Sequence, residues 1–305
     1  MFPIIPANSA AESGNQNGIF FGGYASYPTR LGMTNIVSNA GVVASDVAAV
    51  GTARDSPAGC EYGGDKGIFG FGNDGSKASM TNLVSNTGVV ASDVTGVGTA
   101  RDSPAGCSYG EDKGIFGFGK ATGPYAETAV TNLVSNAGVV ASDVTGVGTA
   151  RNYLSACEYG EDKGIFGFGG NAGVRLSMTN LVSNAGVVAT DTTGVGTART
   201  LQGGACSYGE DKGIFAYGYT TAFVSTSNLV SDAGVVASDV TGVGTAKGFT
   251  GACEFGGDKG IFGYGTSSGT YNLSATNLVS DAGVIATDTT GVGTARQYLT
   301  ACSFN

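Results

Sequence analysis

The amino-acid sequence predicts an all-β protein with the architecture of a six-bladed β-propeller, and three observations support that prediction. A sequence repeat of about 48 residues occurs six times. Within each copy, short runs of β-branched and aromatic residues are bounded by Gly, Asn and Asp, and apolar residues do not recur with the period of a helix. A repeat of about 40 to 50 residues with four strands is typical of propeller blades. A β-solenoid and a disordered tract are the alternatives, but solenoid coils are usually shorter and a disordered tract does not space its aromatic residues strictly.

Composition limits the classes of protein to consider. Of the 305 residues, 41% are hydrophobic and 13% are charged, and the net charge is −9. Only 15 residues are Lys or Arg, too few for a phosphate-binding surface, so the sequence predicts no nucleic-acid partner. No apolar run approaches the roughly 18–20 residues of a membrane span, and "MFPIIPANSAAES" lacks the basic start of a secretory signal. We therefore expect a soluble, acidic protein with no signal peptide and no membrane insertion.

The repeat sets the domain boundaries. The stretch "GIF" begins at Gly18, Gly67, Gly114, Gly164, Gly213 and Gly260, in steps of 49, 47, 50, 49 and 47 residues. Six cysteines follow the same spacing: Cys60, Cys107, Cys157, Cys206, Cys253 and Cys302. We therefore predict an N-terminal arm over residues 1–17 and a propeller over residues 18–305.

Each repeat contains four predicted strands. In the third copy they are "GCSYG" (Gly106–Gly110), "GIFGFG" (Gly114–Gly119), "VTNLVSN" (Val130–Asn136) and "VVASDV" (Val139–Val144). The turn "GEDKG" joins the first strand to the second, and Ala137-Gly138 separates the third from the fourth. These turn residues and the apolar runs between them predict four-stranded blades.

The two ends of the chain complement each other. The chain enters the repeat at a second strand, Gly18–Gly23, and stops at a first strand, Ala301–Asn305. Pairing of these two segments completes the sixth blade and removes an open sheet edge. The sequence therefore predicts a closed structure in which the terminal strands pair.

The unit "GTAR", "CEYG" or "CSYG", "DKGIFGFG" and "TNLVSN" resembles the kelch repeat over residues 18–305. The shared features are an Arg before a small-residue first strand and a Gly-aromatic second strand ending in Gly. The double glycine of kelch repeats occurs only at Gly22-Gly23 and Gly169-Gly170, and the chain has no Trp. The resemblance implies a kelch-like propeller.

Two types of connection vary between repeats and two do not. The turns "GEDKG" and "SNAG" barely change, whereas the second-to-third connections differ in every blade and the Arg-to-Cys connections vary, with only "RDSPAG" occurring twice. Alternating strands place the variable connections on one face, and variable loops on a rigid scaffold are typical of binding surfaces. Packing of these side chains between blades is the alternative. The candidate ligand-binding residues are Tyr24, Tyr27, Arg30, Tyr125, Tyr153, Tyr219, Phe223, Phe249, Tyr271 and Tyr298.

The cysteines do not predict a disulfide or metal framework. They occupy equivalent positions in neighbouring sheets about 10 Å apart, whereas a disulfide needs Cα atoms within roughly 7 Å. No close pair such as CxxC occurs. We expect six free, buried thiols and no metal site.

Charged residues also repeat. Each copy has one Asp, such as Asp143, and one base, such as Arg151, which we interpret as structural ion pairs or turn-capping hydrogen bonds. The chain has no His, and the carboxylates of the variable face (Asp55, Asp74, Asp102 and Glu127) are scattered over the blades. The sequence therefore predicts a protein that is not an enzyme and has no cofactor.

The segment "PIIPANSA" (Pro3–Ala10) resembles the opening of many bacteriophage tail and fibre proteins, and the repeats look like those of phage-encoded propellers. The resemblance implies a virion protein, anchored to other virion proteins by residues 1–17, whose variable face contacts a glycan or protein of the host surface. A homo-oligomer is compatible with this assignment. The alternatives are a purely structural virion component and a cellular kelch-like interaction module.

Overall fold

Every regular element in the described part of the chain is a β-strand. The computed structural model describes residues 16–26, 28–48, 50–123 and 126–304. A helix with the length and hydropathy of a membrane span is not found in those ranges. In chain order the strands are β1 (Asn17–Phe21), β2 (Tyr24–Ser26), β3 (Thr29–Arg30), β4 (Thr34–Val37), β5 (Ala58–Tyr62), β6 (Lys66–Gly70), β7 (Thr81–Val84), β8 (Ala105–Tyr109), β9 (Lys113–Gly117), β10 (Thr131–Val134), β11 (Ser155–Tyr159), β12 (Lys163–Gly167), β13 (Gly170–Asn171), β14 (Val174–Arg175), β15 (Thr179–Val182), β16 (Ala205–Tyr208), β17 (Lys212–Ala216), β18 (Ser227–Val230), β19 (Gly251–Phe255), β20 (Lys259–Gly263), β21 (Thr276–Val279) and β22 (Thr300–Phe304).

Most of these strands form three-stranded antiparallel sheets, which we number as units 1 to 6. The sheets are β22-β1-β4, β5-β6-β7, β8-β9-β10, β11-β12-β15, β16-β17-β18 and β19-β20-β21. We call the three strands of each unit, in that order, the Cys strand, the Ile-Phe strand and the Asn strand (for unit 3, β8, β9 and β10). Their register in unit 3 places Cys107 opposite Ile115, and Ile115 opposite Leu133. The remaining strands form the short ribbons β2-β3 and β13-β14.

The predicted fourth strand is not a continuous strand, so the prediction of four-stranded blades was wrong in this respect. In unit 3, isolated bridges join Val140 to Val134 and Val144 to Thr131, and equivalent pairs occur in the other five units. The edge segment advances four residues from Val140 to Val144, whereas the facing part of the Asn strand, from Thr131 to Val134, advances three. The edge segment therefore has one extra residue, as in a β-bulge. The side chain of Asn132 fills this irregularity by donating to the carbonyl of Ala141 at 3.0 Å and to Asp143 at 2.9 Å. Each unit is therefore a three-stranded sheet with a bridged edge segment.

The hydrophobic core is divided into six clusters, each shared by two successive units. The dipeptide Ile115-Phe116 shows why, since both side chains are fully buried and consecutive strand residues point to opposite faces. Ile115 packs in the cluster shared with unit 4, whereas Phe116 packs in the cluster shared with unit 2. The central strand of each unit therefore binds both neighbours.

Units 6 and 1 meet in the same way as successive units. The strand β1 pairs with β22, with Ile19 opposite Cys302, as the sequence predicts for the two terminal strands. Phe20 and Leu299 share a core cluster with Ile261 of unit 6. The Cys strand β22 contacts the Cys strands β5 and β19 on either side.

The Cys strands approach one another closely, and glycine makes this approach possible. A Cβ atom added to Gly114 would lie 2.5 Å from the Sγ of Cys60 in the preceding unit, so no larger residue fits without movement. All six cysteines are buried and free, and the described residues contain no group of three or more Cys, Asp or Glu side chains that could hold a metal ion. A cavity of about 50 Å³ is lined by residues of all six Cys strands.

Candidate functional site

The two kinds of variable connection lie side by side in every unit. The residue after the repeated base bridges the first residue of the second-to-third connection, as in Asn152 with Gly170 and Thr200 with Tyr219. The invariant turns also meet each other, because Asn136 donates to Asp112 at 3.0 Å. The variable connections therefore form a surface of their own, which we call the variable side.

A buried cation supports the base of each variable connection. In unit 3, Arg101 is fully buried and donates from Nη2 to Oδ1 of Asn132 at 2.7 Å. Its guanidinium carbon lies 3.9 Å from the ring centre of Phe71 in the preceding unit. Burial lowers the pKa of Arg101 to about 10, so it remains charged at neutral pH. The cation therefore joins two units beneath the variable side.

The repeated aspartate completes this network. The Oγ1 of Thr99 donates to Asp143 at 2.6 Å, and Asn132 donates to the same carboxylate at 2.9 Å. Partial burial by itself raises the pKa of Asp143, but these hydrogen bonds outweigh it and hold the pKa below its usual value. In four units the Asp also lies 3.8 to 3.9 Å from the Arg Nη1 atom. The repeated acids and bases are therefore structural, through both hydrogen bonds and longer ion pairs.

Six of the predicted ligand-binding residues form one continuous group of rings on the variable side, which we call the aromatic cluster. Phe249 and Tyr298 stack with ring centres 4.3 Å apart and planes 13° from parallel. Around this pair, Tyr24 lies 5.7 Å from Tyr298, Tyr153 lies 6.2 Å from Phe249, Phe223 lies 6.0 Å from Phe249, and Tyr219 lies 5.1 Å from Phe223. All six side chains are partly buried. They pack on one another and still present surface to solvent.

Of the other four predicted residues, the structure describes Arg30 and Tyr271. Arg30 forms an ion pair with Asp55 at 2.7 Å, and its guanidinium carbon is 5.7 Å from the ring centre of Tyr24. Tyr271 is 65% exposed. Tyr27 and Tyr125 lie outside the described residues.

The backbone holds three members of the cluster in an unusual conformation. Tyr153, Phe249 and Tyr298 occupy equivalent connection positions, with φ angles of 52°, 56° and 58°. Bulky residues rarely adopt this left-handed region. Ser56 and Ser103 have φ angles of 55° and 52° at the equivalent positions, so the conformation is a property of the repeat. The amide of Tyr298 donates to the carbonyl of Phe249 at 3.0 Å, so a hydrogen bond between connections stabilises this arrangement.

A cavity of about 320 Å³ opens beside the aromatic cluster, and we call it the aromatic pocket. This volume is at the small end of the range for pockets that bind small molecules. Aromatic rings, two cations, one carboxylate, an amide and a hydroxyl surround it. Its lining residues are Lys120, Glu127, Asn152, Tyr153, Gly170, Gly173, Val174, Arg175, Thr200, Tyr219, Phe249 and Tyr298.

Some of the charged groups in the aromatic pocket offset each other and others do not. The Nζ of Lys120 lies 3.7 Å from Oε1 of Glu127, so these two charges offset each other. The guanidinium carbon of Arg175 lies 5.0 Å from the ring centre of Tyr219. Burial, together with the charge of Asp102, raises the pKa of Tyr153 to about 12. The Tyr153 phenol is therefore neutral at physiological pH and can donate a hydrogen bond.

Sequence reasoning missed the polar part of this pocket. Arg175, Lys120, Asn152 and Thr200 were not among the predicted residues, although all four lie in variable connections. The signal that could have identified them is a charged residue in a variable connection whose sequence differs from the five equivalent connections. Their convergence from units 3, 4 and 5 is a property of the fold and is not visible in the sequence.

The carboxylates considered for catalysis all have partners. Asp55 pairs with Arg30, Asp102 with Lys77, and Glu127 with Lys120. Asp74 accepts a hydrogen bond from the amide of Ser76 at 2.9 Å. Each of these groups therefore stabilises a variable connection.

The site has to be interpreted from its own chemistry. Neither a scan against protein-family models nor a search of curated proteins finds a match for this chain. The aromatic pocket combines flat apolar surface with hydrogen-bonding groups and an accessible volume. This arrangement suits binding of a small or locally extended ligand.

Proposed function

We propose that the six units are the blades of a closed, kelch-like β-propeller. Three observations support the proposal: the core clusters join each unit to the next, one such cluster joins unit 6 to unit 1, and one cavity is lined by all six Cys strands. Closure through β1 and β22 leaves no unit without two neighbours. A propeller is a rigid support on which variable connections can evolve independently.

We propose further that this propeller is a non-enzymatic bacteriophage virion protein, carried on a tail or fibre, whose variable side recognises a glycan or protein of the host surface. The observation that carries the proposal is the convergence of variable-connection rings from units 1, 4, 5 and 6 beside the aromatic pocket. Partly wet Tyr side chains offer a flat apolar face and a polar tip, which suits contacts with sugars and proteins.

The location in a virion rests on the resemblance of "PIIPANSA" to the opening of phage tail and fibre proteins. We propose that residues 1–17 attach the propeller to other virion proteins. Of this arm, the structure describes only residues 16 and 17. The absence of His from the chain and the pairing of the variable-side carboxylates favour binding over catalysis.

A purely structural virion component is the second candidate function. One observation favours it: each unit exposes the first Val of its edge segment by 63 to 65%, and six such residues surround the molecule. Neighbouring virion subunits would cover these side chains. They are Val42, Val89, Val139, Val187, Val235 and Val284. A cellular kelch-like interaction module is the third candidate.

Binding of the labelled full-length protein to an array of bacterial surface glycans and to whole cells tests the first proposal. We expect binding that Tyr219→Ala weakens and that Asp112→Asn, on an invariant turn, leaves unchanged. Binding to neither the array nor a panel of bacterial strains would favour the structural alternative. Cryo-electron microscopy of intact virions would place the propeller and contradict the virion assignment if no density matches it.

A further inference from the structure

We infer that the aromatic pocket binds a saccharide that carries a carboxylate, and that Arg175 receives this carboxylate; the inference rests on the proposed recognition function. Arg175 ends the strand β14, where it lies opposite Gly170 in the ribbon β13-β14. The ribbon β2-β3 of unit 1 places Arg30 opposite Tyr24 in the equivalent position, but Arg30 is ion-paired with Asp55. Of these two arginines, only Arg175 has no acidic partner within the described residues.

The hydrogen bonding of Arg175 differs from that of every other arginine. All seven arginines of the chain lie in the described ranges. Six of them donate to an acceptor: Arg30 to Asp55, and the five repeat arginines to an Asn side chain, as Arg101 does to Asn132. Within the described residues Arg175 has a cation–π contact with Tyr219 and donates no hydrogen bond. Its buried Nε has no acceptor, as is also true of Arg54, Arg101 and Arg296, but those three donate through Nη2.

An unsatisfied buried donor on a cation is costly, and native proteins normally satisfy such groups. Here the guanidinium lies at the wall of a cavity of about 320 Å³. A ligand in that cavity can supply the missing acceptor. The planar guanidinium with several N–H donors matches the two oxygens of a carboxylate better than a single hydroxyl.

The charge balance of the aromatic pocket also favours an anion. Lys120 and Arg175 contribute two positive charges and Glu127 one negative charge, which leaves one net positive charge. The nearby carboxylate of Asp102 is paired with Lys77. This positive site lies within a chain of net charge −9, so it is a local reversal of the overall potential.

The remaining lining groups indicate a saccharide. Tyr153, Tyr219 and Phe249 offer apolar ring surface for the C–H face of a sugar. Asn152 and Thr200 carry groups that both donate and accept, and Glu127 accepts, which matches a ring of hydroxyl groups. The volume accommodates a sugar with its substituent, whereas a folded partner would need a broad surface.

The test measures binding of the full-length protein to an oligogalacturonate and to an oligosaccharide ending in a sialic acid. Each probe is compared with its carboxyl-reduced form, which keeps the sugar and removes the charge. We expect at least one acidic probe to bind about ten-fold or more tightly than its reduced form. Arg175→Gln should remove this difference, and Arg175→Lys should retain part of it.

Lys163→Gln is the matched control, because it removes one positive charge from an invariant turn where Lys163 pairs with Asp162. We expect it to bind like the unchanged protein. Circular dichroism and the Tm report the fold of each variant. Should Arg175→Gln fail to fold, the comparison of acidic and reduced probes on the unchanged protein and on Arg175→Lys still decides the question.

The outcomes separate this inference from the proposed function. Equal binding of acidic and reduced probes would overturn the carboxylate role and leave glycan recognition standing. If neither acidic probe binds but the protein still adsorbs to cells, the inference alone is overturned. The inference alone is also overturned if a peptide ending in a free carboxylate binds in an Arg175-dependent way and no acidic saccharide binds. Loss of both saccharide binding and cell adsorption would overturn the inference and the proposed function together.

Discussion

The Nη2 atom of Arg296 donates a hydrogen bond of 2.7 Å to Oδ1 of Asn35, which joins two side chains 261 positions apart in the sequence. The same bond, also 2.7 Å long, joins Arg101 to Asn132 in unit 3. The guanidinium carbon of Arg296 lies 4.0 Å from the ring centre of Tyr264, as the repeat requires. The network that supports each variable connection is therefore also present where the two ends of the chain meet.

This equivalence predicts that breaking the terminal copy costs as much as breaking an internal one. Asn35→Ala and Asn132→Ala each leave a buried guanidinium without its main acceptor, which we expect to lower the free energy of unfolding by about 2–3 kcal/mol. Urea unfolding of the two variants measures both values. A cost for Asn35→Ala far below that for Asn132→Ala would show that the terminal strands are joined less firmly than the other units.

Close packing between Cys strands predicts a specific coupling between two positions. Gly114→Ala places a methyl group against the Sγ of Cys60, and we expect overpacking to cost about 1–3 kcal/mol. In a Cys60→Ala background the same change should cost less, because the sulfur is gone and the 3.0 Å approach to the carbonyl oxygen of Glu61 is the close contact that remains. Urea unfolding of the single and double variants gives the coupling energy. Strictly additive costs would mean that the two residues do not touch.

The cysteines are predicted to stay reduced in the folded protein. Burial raises the pKa of the Cys157 thiol to about 12, so almost no reactive thiolate is present at neutral pH. Alkylation of the native protein should therefore be slow, whereas alkylation in denaturant without reductant should modify all six thiols. Mass spectrometry counts the modified residues. Disulfide-linked peptides in the unreduced sample would disagree with this arrangement.

Acidic side chains line the narrow cavity between the Cys strands. Glu61 and Glu158 are among the lining residues, and Ser108 donates to Glu158 at 2.5 Å. Burial, reinforced by the charge of Glu158, raises the pKa of Glu61 to about 8. Burial also raises the pKa of Glu158, to about 7. The folded protein therefore retains protons here that the unfolded chain loses near pH 4.5.

These raised pKa values predict a stability that falls as the pH rises. Below about pH 4.5 the Glu61 carboxyl group is protonated in both the folded and the unfolded state. Between pH 4.5 and 8 it ionises in the unfolded state but stays largely protonated in the folded state. The free energy of unfolding therefore decreases across that window. Glu61→Gln should flatten the decrease and raise stability at pH 8 by about 1–2 kcal/mol. Thermal unfolding at several pH values measures this. Asp211→Asn, on the equivalent turn of unit 5 where Asp211 pairs with Lys212, is the control, and equal slopes for all three proteins would rule out this role of Glu61.

Much of the fold follows directly from the repeat. The strands around Cys107, Ile115 and Asn132 could be predicted from β-branched and aromatic runs bounded by turn residues, and the pairing of the terminal strands from where the repeat starts and stops. The fourth strand could not, because the bulge depends on the side chain of Asn132 competing for backbone groups near Ala141. Propensity alone carries no sign of that competition.

The candidate site was predictable only in part. Its rings were visible as Tyr and Phe in connections that differ between copies, and six of them meet in the aromatic cluster. The pocket beside them was not visible, because Lys120, Arg175 and Thr200 come from three different units. Their distance from one another depends on the backbone of each connection, which periodicity does not specify.

Recognition through the variable side is the central claim, and adsorption of labelled protein to bacterial cells tests it most directly. Replacing Tyr153, Tyr219 and Tyr271 together with Ala should weaken adsorption at least ten-fold, since such anchors contribute on the order of 1–2 kcal/mol each. A second variant, with Asp112→Asn, Lys113→Gln and Asp162→Asn on the invariant turns, should adsorb like the unchanged protein, with circular dichroism confirming both folds. Loss of adsorption in the turn variant, with the Tyr variant unaffected, would contradict the account.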